Sequence, residues 1–211
     1  TDDPNTEWYI MYQPVNLHVG NAQLGSYEDF KSLCDAAEGY GIDIIVDAVL
    51  NQVADNGVDG QWDNNLDSSL KNWDYFHNNG TCDDYSDRES VTQENLGNGP
   101  DWATQRSDVQ QLHLNFLNEA IDAGADGFRF EAAKHIETDQ GEDAWKSWAG
   151  GYWNTILNGM NNKDDLYLFG EVLPDGGDND EVYTQYYDIT AHKYGNALRW
   201  GVSNGDVTQL S

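Results

Sequence analysis

A helix-spaced stretch running directly into an apolar strand-like run occurs three times in this chain, and that recurrence constrains its fold more than any other feature. From Ser26, the residues Tyr27, Phe30, Leu33, Cys34 and Ala37 share one helical face, with Ser26 placed as N-cap and Gly39 or Gly41 as the stop. The run Ile42-Asp43-Ile44-Ile45-Val46-Asp47-Ala48-Val49 follows, nearly continuous in β-branched residues, as suits a strand covered on both faces in a parallel sheet. The unit recurs as a helix over 108–122 and a strand over Gly127-Phe128-Arg129-Phe130-Glu131. It recurs again as a helix over 143–157 and a strand over 166–172. Repeated helix-then-strand units predict an α/β fold with a parallel sheet and right-handed crossovers, either open and doubly wound or closed as a barrel. A full eight-unit barrel takes about 250 residues, more than the 211 present.

Between Asn51 and Pro100 the pattern gives way to a stretch dense in Asn, Asp and Gly with scattered Trp and Tyr. A structureless loop of that length is improbable inside one domain, so it reads as a functional excursion or a small inserted subdomain. Within it, Asp55-Asn56-Gly57-Val58-Asp59-Gly60 begins like a calcium loop. Its third position is Gly57, however, and its twelfth is Leu66 where a bidentate Glu is required, so a turn is expected.

Acidic residues number 38 against 10 basic ones, a net charge of −28. Such an excess repels phosphate backbones and anionic lipid, which makes nucleic acid and membrane surfaces poor partners and favours a neutral ligand or a cation. Eight Trp and twelve Tyr, with the Val/Ile/Leu runs, argue for a packed core rather than disorder. Together these features predict a folded protein adapted to strong salt, its surface repulsion screened by ions. Cys34 and Cys82 are too few for a disulfide framework and are expected as free thiols. No run approaches the roughly 20 apolar residues of a membrane span, and no leader opens the chain, which by itself decides nothing about export.

Three strand ends finish in acids: Asp47, Glu131 and Glu171. Carboxylates at the same end of successive parallel strands converge on one pocket, where mutual repulsion and desolvation push their pKa values apart. Glycosidic bond cleavage needs that arrangement. For a single acid on so acidic a chain, a solvated strand end is the ordinary explanation.

The surrounding residues carry a specific resemblance. Asp47-Ala48-Val49-Leu50-Asn51-Gln52, Gly127-Phe128-Arg129-Phe130-Glu131-Ala132-Ala133-Lys134-His135 and Phe169-Gly170-Glu171-Val172 resemble, in order and separation, the first three signature blocks of the α-amylase family of glycoside hydrolases. Trp8-Tyr9-Ile10-Met11-Tyr12-Gln13-Pro14-Val15 resembles the sugar-stacking segment of its animal-type and related bacterial members, as do Leu173-Pro174-Asp175-Gly176-Gly177 and His192-Lys193-Tyr194-Gly195. The likeness covers nearly the whole chain and is weakest over 51–100.

The resemblance implies a partial (β/α)₈ TIM-type barrel, about strands three to six, over 1–50 and 101–211, with 51–100 as an inserted B-type subdomain. It implies retaining cleavage of internal α-1,4 bonds in starch or maltodextrin, with Glu131 as nucleophile and Glu171 as general acid. Arg129, two residues before Glu131 and so on the same strand face, is expected to hold the nucleophile ionised. Trp8, Tyr9, Tyr12, Gln13, Asp47 and Gln52 are implied to bind the sugar around the cleavage point, and Lys134 and His135 to contact it on the leaving-group side. Asn51, Asp101 and the His135 carbonyl match a structural calcium site of hard oxygen donors. An α-glucan is the implied partner, a second copy covering exposed barrel edges a further one, and a secreted life at high salt the implied setting.

Three features depart from the family pattern. Glu131 stands where Asp is usual, Gln52 where His is usual, and the fourth block, ending in Asn-His-Asp, has no counterpart in these 211 residues. A non-catalytic α-glucan binder and a calcium- and salt-dependent interaction fragment are the alternative readings.

Overall fold

The computed structural model describes residues 8–21, 24–174, 180–205 and Thr208. The first unit forms as a helix followed by a strand, the strand confined to the later part of the 42–49 run. Helix α1 (Tyr27–Glu38) starts with a capping box: the Ser26 hydroxyl accepts from the Asp29 N–H at 3.2 Å, and the Asp29 carboxylate accepts from the Ser26 N–H at 2.8 Å. Gly39 caps its other end, and strand β1 (Ile45–Val49) follows. Within the excursion lies a short helix, α2 (Arg88–Gln93); after it come α3 (Ser107–Asp122) and β2 (Gly127–Glu131). Helix α4 (Tyr152–Gly159), β3 (Tyr167–Gly170), α5 (Asp180–Tyr183), β4 (Asp188–Ile189) and α6 (His192–Asn204) complete the described order.

Among the described residues the strands form one parallel sheet in the order β1-β2-β3-β4. A doubly wound sheet needs a point where the strand order reverses. Here each strand adds beside its predecessor, so right-handed crossovers place every helix on the same face, as in a barrel. That face is dry: Ala48, Phe128 and Phe130 are fully buried against Leu117 and Ala120 of α3 and Tyr152, Trp153 and Ile156 of α4. Burying each Phe contributes about 1.5–3 kcal/mol. Because side chains alternate along a strand, Asp47, Arg129, Glu131 and Phe169 point to the other, more open face.

Gly170 permits a close approach at the sheet's working end. A Cβ there would lie 2.4 Å from the Tyr187 ring and 3.0 Å from Ala133, so the absent side chain lets Tyr187 pack beneath the strand that delivers Glu171.

One expectation is corrected. The helix read over 143–157 begins only at Tyr152; 141–149 is a series of turns. Asp143 is fully buried as the partner of Arg88 and is not available for a helical surface, and Gly150-Gly151 interrupt the run before Tyr152.

The excursion has its own apolar centre. Leu66, Leu70 and Phe76 pack with Leu17, Val53, Trp102 and Val109, and the Trp62 and Trp73 rings stack with centroids 3.6 Å apart. The segment from Asp55 to Gly60 is a turn, with Asp55 and Asn56 side chains accepting from the N–H groups of Gly57 and Val58. Cys34 and Cys82 are buried free thiols. No described helix is long and apolar enough to cross a membrane.

Candidate active site

The parallel register sets the centre of the site. Phe130 pairs with Gly170, so Glu131 and Glu171 leave neighbouring strands at the same level, and the Glu171 N–H donates to the Phe130 carbonyl at 2.9 Å. Adjacent strands lie about 4.8 Å apart, which brings the two acids side by side. Immediately after Glu131 the chain turns through Ala132, a left-handed residue with φ 47°. That conformation costs a non-glycine residue roughly 1–2 kcal/mol; it aims the Ala132 N–H at Glu171 Oε2, 3.4 Å away, and starts the turn carrying Lys134 and His135.

Arg129 sits at the middle of three acids. Its Nη1 donates to both oxygens of Asp47, at 2.7 and 2.6 Å, and its Nη2 lies 3.1 Å from Glu171 Oε1. The expectation that its guanidinium chiefly holds Glu131 therefore needs revision: the fork is occupied by Asp47 and Glu171. Glu131 is pushed up to about 7, first by burial and then by the charges of Glu171 and Asp47; the more distant pull of Arg129 and the Gln52 amide opposes this. Glu131 Oε2 is buried and has no hydrogen-bond partner. The carboxyl at the expected nucleophile position thus titrates near neutrality in the free protein.

The aromatic segment lies against this centre. The turn Trp8–Tyr12 puts Tyr12 close enough for its phenol to act on Arg129, and Tyr12 and Asp47 also border a cleft of about 860 Å³ that runs along α1 and the β1 edge and is lined by neither Glu131 nor Glu171. Tyr9 is exposed. The Gln13 amide donates to Asp55 at 2.8 Å, tying the segment to the excursion, and Gln52 Nε2 donates to the Tyr12 carbonyl at 3.1 Å. Both amides are therefore engaged within the protein, and Gln52 Oε1 is left without a partner. The Trp8 side chain and the Asp175-Gly176-Gly177 segment lie outside the described residues.

Lys134 and His135 are more buried than a sugar-contact role implies, at 2 % and 7 % exposure. His135 Nδ1 donates to the Val91 carbonyl at 2.9 Å, and burial lowers its pKa to about 4, so the ring is neutral. Tyr85, which the sequence reading did not single out, packs edge-on against His135 and stands partly exposed at this rim. Arg88 was missed as well. Its Nε and Nη2 grip both oxygens of buried Asp143 at 3.0 and 2.8 Å, its Nη1 donates to the Lys134 carbonyl at 3.0 Å, and its Nη2 also reaches the Tyr183 hydroxyl. The excursion is thereby clamped to the turn after Glu131. Neither residue carries a periodic signal.

The donors expected for calcium fit a hard cation. Asn51 is buried with both amide atoms lacking a hydrogen-bond partner of acceptable geometry, yet it lies near enough to affect Asp101. Burial pushes Asp101 up to about 7, against the pull of His77, whose Nδ1 is 2.6 Å away. An orphaned buried amide oxygen and a desolvated carboxylate each cost stability alone; a shared divalent cation relieves both. Among the described residues no three His, Cys, Asp or Glu side chains gather as a metal cage, so any such site draws on amide and peptide oxygens.

Comparison with known proteins agrees with this geometry. Residues 11–196 match the family model described as the catalytic domain of alpha amylase. An alpha-amylase of Clostridium acetobutylicum is 50% identical over 97% of this chain, and one of Butyrivibrio fibrisolvens 33% identical over 97%. The chain spans 27% and 22% of those two proteins' lengths. Among solved structures, the wild-type alpha-amylase I of Eisenia fetida superposes with a TM-score of 0.73 at 24% identity, over 93% of this chain and 42% of that one. The Malbranchea cinnamomea alpha-amylase gives 0.70 at 24% identity, over 94% and 40%. These likenesses show the fold, an α/β fragment of the barrel.

Proposed function

Because the chain belongs to the α-amylase family, we propose that it is part of a retaining glycoside hydrolase acting on internal α-1,4 bonds of starch or maltodextrin. One observation carries this reading above the others: Glu131 and Glu171 stand side by side at in-register strand ends, with Arg129 between Glu171 and a third acid, Asp47. In this mechanism Glu131 attacks the anomeric carbon and Glu171 protonates the departing oxygen, then takes a proton from the incoming water. Tyr9 and Tyr12 would offer aromatic faces to the sugar, with Trp8 as the expected third, Asp47 and the Gln52 amide oxygen polar groups beside them, and Tyr85 would form the leaving-group rim over the buried Lys134 and His135.

Asn51, Asp101 and the His135 peptide oxygen would hold a calcium ion, whose contribution is to fix the excursion against the sheet. The division into a partial barrel over 1–50 and 101–211 with a subdomain over 51–100 accords with that arrangement. The charge of −28 supports life outside the cell in strong salt and argues against polyanionic partners. A second copy covering the open sheet edge is part of the same proposal.

Glu131 works only when ionised. Burial and the Asp47 charge still hold Glu131 up when Glu171 carries the proton it must donate, so the rate is expected to rise with pH later than for an unperturbed carboxylate near 4.3. The extra methylene displaces its carboxylate by about one bond, and a misplacement near 1 Å costs on the order of a hundredfold. Glu131→Asp is therefore expected to raise turnover by up to about a hundredfold.

The test is incubation with maltoheptaose and calcium in molar salt, following binding and the anomer first released by proton NMR. α-Anomeric product supports the hydrolase. Binding without cleavage favours a second reading, a non-catalytic α-glucan binder, for which Glu131 and Gln52, standing where the family usually has Asp and His, speak. Neither binding nor cleavage leaves an interaction fragment and contradicts the proposal.

A further inference from the structure

Asn79-Gly80-Thr81 is the one place in the sequence where an asparagine is followed, after a residue other than proline, by Ser or Thr. That triplet is the acceptor pattern of N-glycosylation, and it serves only where the fold leaves it on a surface loop. A triplet is a short signal, so its surroundings decide whether it can carry a sugar.

The surroundings suit one. Asn79 and Thr81 are both exposed, in irregular chain of the excursion. Asn78 and Gly80 hold left-handed backbones, φ 58° and 85°, so the chain bends on either side of Asn79. Asn and Gly are the residues that tolerate this conformation best. Both flanks are pinned. The Asn78 amide donates to the Trp73 and Phe76 carbonyls at 2.9 and 2.7 Å, and the Asn95 N–H donates to the Gly80 carbonyl at 2.7 Å. Asn79 therefore stands exposed between two anchored turns. The surface beside it is open: a Cβ on Gly80 would meet only the Asp59 carboxylate, at 3.8 Å. Asn79 Nδ2 donates to the Gln93 carbonyl at 2.9 Å. A glycosylated amide nitrogen keeps one hydrogen, enough for that contact.

We propose that Asn79 carries an N-linked oligosaccharide, attached during export by a membrane transferase from a lipid-linked donor. The Asn79 amide nitrogen bonds to the anomeric carbon of the donor's first sugar. The bond from that carbon to the lipid phosphate oxygen breaks, the lipid phosphate leaves with the electron pair, and the amide gives up one proton. The glycan hydrates the excursion without adding to a charge of −28. This site rests on the extracellular reading above and is independent of the strand-end carboxylates.

The test is glycopeptide mass spectrometry of the protein recovered from the medium of its producing cells. The peptide holding Asn79 is expected to be heavier by whole sugar residues, with the first sugar mapped to Asn79. Thr81→Val keeps the side chain's shape without its hydroxyl and is expected to lose the added mass completely, whereas Thr81→Ser retains it. Asn79→Gln is expected to lose it as well; because Thr81→Val leaves the Asn79–Gln93 contact in place, a folding defect in Asn79→Gln does not decide the matter. Maltoheptaose cleavage is expected to be unchanged in all three. A secreted protein whose Asn79 is bare, or altered only to the Asp that deamidation leaves, overturns the site and leaves the α-glucan reading standing. Sugar that persists in Thr81→Val overturns it too, since the triplet is then not the acceptor. A protein found only inside the cells overturns the extracellular reading and this site with it.

Discussion

Glu171→Gln is expected to lower kcat/KM on maltoheptaose by about a hundred- to ten-thousand-fold, the usual worth of a positioned general acid. The amide keeps the size of the carboxyl and cannot deliver a proton to the departing glucosidic oxygen. Its structural cost is small: Arg129 loses one contact at 3.1 Å but keeps both oxygens of Asp47. The loss should depend on the leaving group. An α-maltosyl fluoride, whose fluoride departs without protonation, should form the glycosyl-enzyme at close to the parent rate, while maltoheptaose does not. Equal losses on the two substrates, measured by fluoride release and by reducing ends, would assign Glu171 a role other than proton donor.

Arg88→Leu is expected to destabilise the fold by about 3–5 kcal/mol, the penalty for leaving one member of a buried ion pair unpaired. Asp143 would retain the Thr138 N–H at 2.9 Å and hydroxyl at 3.0 Å but lose its only cationic contact among the described residues. Against the 5–15 kcal/mol that typically holds a domain together, this shifts much of the population toward unfolding. The Lys134 carbonyl loses a donor in the same change, so the turn after Glu131 loosens before the sheet does. Pairing Arg88→Leu with Asp143→Leu removes the stranded charge and should recover most of the loss. Denaturant melts of the single and double variants check this, and an additive double variant would show that the pair does not act as a unit.

The parts of the fold that depend on neighbouring residues were legible. Ser26 and Asp29 sit three apart and form the expected capping box, and the apolar run at 127–131 became β2 with its bounds unchanged. Alternation alone put Arg129 and Glu131 on one face. The parallel sheet was legible too, but only its observed order separates a barrel from a doubly wound sheet. What failed depends on contacts distant in sequence. Asp143 looked like a helix start and is instead the buried partner of an arginine 55 residues earlier. Arg129 looked committed to the acid two residues away, whereas Asp47, 82 residues away, holds it at 2.6 Å. Tyr85 lies in irregular chain, where no period marks a functional side chain.

The raised pKa of Glu131 follows from the same crowding. Three carboxylates share one guanidinium, and the two that Arg129 contacts leave the third to burial and repulsion. A substrate hydroxyl changes that balance only by moving a donor toward Glu131.

The account's central claim is that Glu131 forms the covalent bond to glucose while Glu171 handles the proton. The direct measurement is mass spectrometry of the chain after exposure to a maltosyl fluoride bearing a second fluorine beside the ring oxygen, which slows hydrolysis of the glycosyl-enzyme. The account predicts a gain of one fluorinated maltosyl unit, with the ester mapped to Glu131 and absent in Glu131→Gln. An ester on Glu171 or Asp47, or an unchanged mass in a chain that binds maltoheptaose, would contradict it.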